Sequence, residues 1–232
     1  MAKVLGLKQL LQKQHKFLEP LPAHILHSFG RLTYNFVMII WGQSANGKSN
    51  LVMQFVKTLM PFGKVLYVGL EEGFEASMQM NVLRHLDASH TGLIEFADHE
   101  MTFDKLREKL AKKKSPKFII VDSLQYLNIS YEQYKQLRQQ FQNKAFIFIS
   151  HATGKLPDGR TADKVRYDAG VKVHVEGYIA NVKSRYGGNN PYVIWEEGAK
   201  KFWGKQYKKK AGTRPVVEEE QGEQLSINQL VD

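Results

Sequence analysis

The 232-residue sequence contains no cysteine. This excludes disulfides, thiolate metal sites and a cysteine nucleophile, and it fits a reducing compartment. Long apolar runs are also missing. The longest near the start, FVMIIW at 36–41, falls far short of the ~20 residues that a membrane-crossing helix requires. The opening MAKVLGLKQLLQKQHK has no signal-type apolar stretch, so the expectation is a soluble cytoplasmic protein with no membrane partner. Acid is in deficit: 23 Asp and Glu stand against 33 Lys and Arg, a formal charge of +10. Such an excess suits a polyanionic partner, because lysine and arginine gain by releasing counterions condensed on nucleic acid. Much of it lies in two clusters, 105–117 and 200–214.

With 43% hydrophobic and 11% aromatic residues, the chain suits one large α/β domain with a well-buried core. Residues 5–16 have helical periodicity, interrupted by Pro20 and Pro22, so 1–29 reads as a helical arm before a core at 30–204. From Phe36 short β-rich runs alternate with helical ones: strands at 36–41, 64–69, 92–97, 117–122 and 145–150, helices at 48–60, 74–86, 102–113 and 131–142. Alternation of this kind implies crossover connections and a mostly parallel twisted sheet flanked by helices. After Ser150 a long polar loop runs to residue 168, followed by β-rich pieces at 171–183 and 191–196 joined through a Gly187-Gly188-Asn189-Asn190 turn, a C-terminal hairpin. Residues 205–232 read as a flexible charged tail ending in LSINQLVD, a candidate docking peptide for a protein partner.

The chemistry centres on residues 36–49, FVMIIWGQSANGKS. A buried strand, a glycine-bearing loop and a helix N-terminus make a phosphate cradle, the Walker A arrangement. Gly42, Gln43, Ser44, Ala45, Asn46 and Gly47 supply its backbone, Lys48 reaches the β- and γ-phosphates, and the Ser49 hydroxyl is a Mg²⁺ ligand. The run KFIIVDS at 117–123 is a hydrophobic strand ending in an acid, so Asp122 is the second candidate for Mg²⁺, through water. The strand VLYVG at 65–69 leads into Leu70-Glu71-Glu72-Gly73. An acid there is placed to orient the water attacking a γ-phosphate, Glu71 first and Glu72 as the alternative.

Taken in order, GQSANGKS, VLYVGLEEG, FIIVDS, FIFISHATGK and VKSRYGG resemble the RecA-like ATPase core, nearest to RadA and archaeal recombinases, with DnaB-type helicases and KaiC sharing that core. The resemblance covers about residues 30–198. It implies ATP, which agrees with the absence of any N/T-K-x-D guanine-reading motif, and it makes Glu71 the catalytic base. It puts a γ-phosphate-sensing polar residue at Ser150 or His151. Lys183 and Arg185 resemble the cations that relatives extend to the γ-phosphate of a neighbouring subunit, which implies a homo-oligomer, ring or filament, a hexamer by analogy. The segment 152–167 takes the place of a DNA-binding loop, with Lys155, Arg160, Lys164 and Arg166 for phosphates and Tyr167 for a base.

The resemblance implies an ATP-hydrolysing oligomer on single-stranded DNA in recombination, repair or replication. Two other readings stand beside it: a replicative-helicase-like motor, and a nucleotide-switched regulator or loader acting on a protein partner. The stretch LQYLNIS after Ser123 is short for a further DNA loop, and the absence of cysteine removes a zinc module.

Overall fold

The computed structural model describes residues 4–212. After the short helix α1 (Leu7–Leu11) and α2 (Ala23–Phe29), the chain alternates β1 (Val37–Trp41), α3 (Lys48–Leu59), β2 (Val65–Gly69), α4 (Ala76–His85), β3 (Ile94–Ala97), α5 (Phe103–Ala111) and β4 (Phe118–Asp122). It continues through α6 (Leu124–Leu127), α7 (Tyr131–Gln140) and β5 (Ala145–Ser150), then β6 (Ala152–Thr153), β7 (Leu156–Pro157) and α8 (Arg160–Asp168). The last elements are β8 (Val171–Glu176), β9 (Ile179–Ser184), β10 (Tyr192–Val193), α9 (Glu196–Trp203) and α10 (Tyr207–Ala211). No helix among the described residues is long and apolar enough to cross a membrane.

Eight strands form one sheet in the order β10-β9-β8-β1-β5-β4-β2-β3. The six from β8 to β3 are mutually parallel, and β9 and β10 extend the sheet with antiparallel pairs. The central strands are apolar on both sides because helices cover both faces. Met38, Ile40, Tyr67, Ile120 and Ile147 meet α2 and α3 on one face. Their neighbours Val37, Ile39, Leu66, Ile119 and Phe146 meet α5, α7 and α8 on the other. Each such side chain withdrawn from water contributes about 1.5–3 kcal/mol, the main driving term for this arrangement.

Several boundaries differ from the sequence reading, each for a packing reason. The arm is shorter than 1–29, since Leu18, Ile25 and Phe29 are fully buried, and residues 4–16 are what lies off the core. The piece 171–183 is two strands, turned at Gly177 and Tyr178, both with positive φ. The 187–190 turn is there as well, and β9 and β10 pair across it. The polar loop 152–167 is structured: β6 and β7 form a small hairpin, and α8 is fastened to α7 by Tyr134 and Arg138, which both donate to Asp168. Instead of a flexible run from 205, α10 packs with α9, because Tyr207 and Ala211 join Ile179 and Trp203 in a small cluster. The LSINQLVD peptide lies outside the described residues.

Candidate nucleotide site

Parallel strands place their C-terminal ends on one side of a sheet, where open α/β folds bind ligands. Here those ends are aligned by register: Trp41 opposite Ser150, and Gly69 opposite Asp122. Because β5 lies between β1 and β4, the loop after β1 and the Asp122 carboxylate stand two strand spacings apart, about 10 Å. The cleft between them is floored by the end of β5.

The loop from Gly42 to Gly47 turns in the left-handed region at Ala45 (φ 61°) and Gly47 (φ 98°) before entering α3. Gly42 has to be glycine, since a Cβ there would meet the Val175 carbonyl oxygen at 2.2 Å. No acid occupies the first turn of α3, so the positive end of its dipole faces the loop uncompensated, a ready anion site. The Lys48 ammonium donates to the carbonyls of Gly42 and Gln43 at 2.8 and 3.0 Å. Burial lowers its pKa, against the opposing pull of Asp122 and Glu71. Asn46 fastens the loop to the β8–β9 turn: its Oδ1 accepts from Gly177 N–H at 2.6 Å and its carbonyl from Tyr178 N–H at 3.2 Å.

Asp122 is held from two sides. Its carboxylate accepts from the buried Tyr67 hydroxyl, and its carbonyl accepts the amides of Leu70 and Glu71 at 2.6 and 3.3 Å. Burial raises its pKa to about 6, with the Tyr67 hydrogen bond acting in the opposite direction. The two neighbouring acids face different ways. Glu71 Oε2 lies 3.1 Å from His151 Nε2, whereas Glu72 accepts from Ser77 on α4 at 3.0 Å.

Ser150 is buried and receives the side-chain amide of Gln125 at 2.8 Å. The same amide donates to the Asp158 carbonyl at 2.8 Å, so Gln125 joins the end of β5 to the start of the 158–168 segment. Sequence reasoning passed over Gln125, whose partners lie 25 and 33 residues away. Gln43 donates to the Ala152 carbonyl at 3.2 Å, and Trp41 to that of Lys155 at 3.0 Å. The β6–β7 hairpin is thereby seated over the nucleotide loop.

Of the cations in that segment, Lys155, Arg160 and Lys164 are exposed. Arg166 is occupied by Asp163 at 2.8 Å and covers the exposed Tyr167 ring at 4.5 Å. The structure does not bring Lys183 and Arg185 to the phosphate loop of their own chain. Lys183 pairs with Lys172, which pairs with Ile39; this is about 10 Å back along the strands from Gly42 and two strand spacings to the side. Arg185 is exposed and reaches the Tyr167 carbonyl at 3.3 Å.

A pocket of about 360 Å³ opens beside Gly47 and Ser49, with Asn81 and Arg84 of α4 on one side and Tyr178 and Trp195 on the other. The two rings meet edge to face, 5.1 Å between centroids, and Trp195 is 47% exposed. None of these four residues stands out in the sequence, because α4, the hairpin turn and the start of α9 meet only in the fold.

Among solved structures, the chain is similar to the flagellar accessory protein FlaH from Methanocaldococcus jannaschii, at 16% identity over 74% of this chain and 88% of that one, with a TM-score of 0.54. It is also similar to the KaiC-like protein PH0186 from the hyperthermophilic archaeon Pyrococcus horikoshii OT3, at 18% identity over 60% of this chain and 70% of that one, with a TM-score of 0.47. No protein-family model matches the chain, and no curated protein does. At such identities the likeness is one of fold. The chain has a RecA-like fold, a mostly parallel sheet flanked by helices.

Proposed function

We propose that the protein binds ATP with Mg²⁺ at the Gly42–Ser49 loop and hydrolyses it as a homo-oligomer, under the control of single-stranded DNA held at the 152–167 segment. The observation that carries this reading is the 3.1 Å contact between Glu71 and His151. It links the acid beside the phosphate cleft to the residue that begins the polyanion-facing segment.

The loop amides and Lys48 neutralise the phosphates, and Glu71 orients a water in line with the γ-phosphate. The water oxygen bonds to phosphorus as the bond to the β–γ bridging oxygen breaks. ADP departs with that electron pair, and the water proton passes to Glu71. The donor set, the Ser49 hydroxyl and the Asp122 carboxylate, consists of hard oxygens, the kind that suits Mg²⁺. When bound, Mg²⁺ supplies positive charge against the phosphate oxygens. The pocket lined by Tyr178, Trp195 and Arg84 suits the nucleobase, since flat rings and a guanidinium offer stacking surfaces.

The raised Asp122 pKa has a direct consequence. Protons compete with the cation for this carboxylate, so affinity for Mg²⁺-nucleotide should fall as pH drops through about 6. Tyr67→Phe removes a hydrogen bond that favours the charged carboxylate, which moves that fall to higher pH. Mg²⁺-dependent ADP titrations between pH 5 and 8, an interval of about three units around that midpoint, measure both. Identical profiles for wild type and Tyr67→Phe would remove Asp122 from the cation site.

An oligomer is supported by the position of Arg185, out of reach of its own cleft, and by the arm, where Val4, Leu7, Leu10 and Leu11 are 57–89% exposed. Such a run finds cover against another copy of the chain. For DNA, the test is ATP hydrolysis with and without single-stranded DNA at two salt concentrations. Stimulation should weaken with salt, and Lys155→Glu with Arg160→Glu should cut it by about tenfold or more while ADP affinity stays within about twofold. Hydrolysis indifferent to DNA would shift the reading to a nucleotide-switched regulator of a protein partner.

A further inference from the structure

A second cavity of about 900 Å³ lies behind the nucleotide helix, between the outer face of α3, the end of α4 and the chain entering α2. Its size falls within the ~300–1,000 Å³ common for small-molecule sites. Tyr34, Phe62 and Tyr192 give it flat walls, and Lys57, Arg84 and His85 gather at one side. Its acid, Glu19, is already paired with Arg31 at 2.7 Å. Lys57 and Arg84 have no carboxylate partner among the ion pairs of the described residues. His85 Nε2 is buried with no hydrogen-bond partner, an uncommon condition for a buried polar atom. Burial lowers the His85 pKa, and Arg84 and then Lys57 lower it further, a sign of how positive this corner is. Aromatic walls with unpaired cations at one end describe the complement of a flat ring carrying an anionic group.

We infer that this cavity is a second ligand site, for a small aromatic anion such as an aryl phosphate or carboxylate, and that it is coupled to the nucleotide site through Arg84. Arg84 lines both the cavity and the pocket beside Ser49, so one guanidinium is shared between two ligands. The coupling rests on the nucleotide reading above; the binding itself does not. If both ligands compete for Arg84, each weakens the other by the same factor, because coupling between two binding sites is reciprocal.

The test uses the full-length protein and 1-naphthyl phosphate as the probe, followed by isothermal titration. One site per chain is expected, with a Kd of about 1 mM or tighter, weakened about tenfold or more by Lys57→Glu. Lys48→Ala should leave this binding unchanged. Saturating probe should weaken ADP binding several-fold in wild type, and Arg84→Ala should abolish that effect. Three results overturn the site: no saturable binding, binding untouched by Lys57→Glu, or binding lost in Lys48→Ala, which would place the probe on the phosphate loop. Probe binding without any change in ADP affinity overturns the coupling. Loss of ADP binding to the wild type would sink the nucleotide reading and leave the cavity site standing.

Discussion

Glu71→Gln should lower ATP hydrolysis by about 100-fold or more, a loss of about 2.7 kcal/mol in transition-state stabilisation, while ADP affinity changes by less than about threefold. The asymmetry follows from position. Glu71 faces the cleft next to Asp122 and His151, and among the described residues it makes no hydrogen bond or ion pair to the Gly42–Ser49 loop, acting on Lys48 only through its field. Glutamine keeps the shape and one acceptor oxygen but cannot take the proton of the attacking water. Glu72→Gln is the matched control, since that carboxylate is engaged by Ser77 on α4; it should leave turnover within about threefold. Steady-state phosphate release and fluorescent ADP titration separate the two effects. Equal losses in both variants would mean that the acids act together, through the field at the cleft, and that Glu71 has no special role.

The second large effect concerns Arg185, which lies too far from its own phosphate loop to serve it. Lys48→Ala and Arg185→Ala should each reduce hydrolysis to about 1% of wild type, because a missing cation in phosphoryl transfer costs about 10²-fold or more. Mixed in equal amounts, the two inactive proteins should recover activity. With the cation supplied between chains, as proposed, a competent site would need an intact loop from one chain and an intact Arg185 from the next, so random mixing would restore about a quarter of the sites. Removing residues 1–12, which carry the exposed arm leucines, should abolish both the assembly, seen by light scattering, and the recovery. A mixture as inactive as its parents, with assembly intact, would rule out a cation supplied between chains.

Much of this core was legible because its strands are short, buried on both faces and separated by helices of ordinary length. The Gly42–Ser49 loop was the clearest, since Gly42, Gly47, Lys48 and Ser49 sit between a wholly apolar run and a helix-like one. The turn at Gly177 and Tyr178 was harder to see. Tyrosine seldom adopts positive φ, and the Gly-Gly-Asn-Asn run ten residues on carried the stronger turn chemistry. The segment 152–167 looked like a loop because its polar composition hides α8, whose fit depends on Asp168 meeting Tyr134 and Arg138 of α7. The base-sized pocket and the cavity behind α3 could not be read at all. Both are assembled from residues more than 100 positions apart, Ser49 with Trp195 and Glu19 with Tyr192.

The Asn46 contact has a mechanical meaning. Asn46 grips the turn of the β8–β9 hairpin, and that hairpin carries Lys183 and Arg185 toward its opposite end. Strands hydrogen-bonded along their length move as one stiff beam, and Trp203 braces the same turn by donating to the Gly177 carbonyl at 3.1 Å. Because β8 is also hydrogen-bonded to β1, the strand that feeds the loop, the grip and the sheet together fix the distance from the loop to the Arg185 tip. In the proposed ring or filament, that fixed span would act as a ruler, setting how far one chain's loop stands from the cleft its own tip serves.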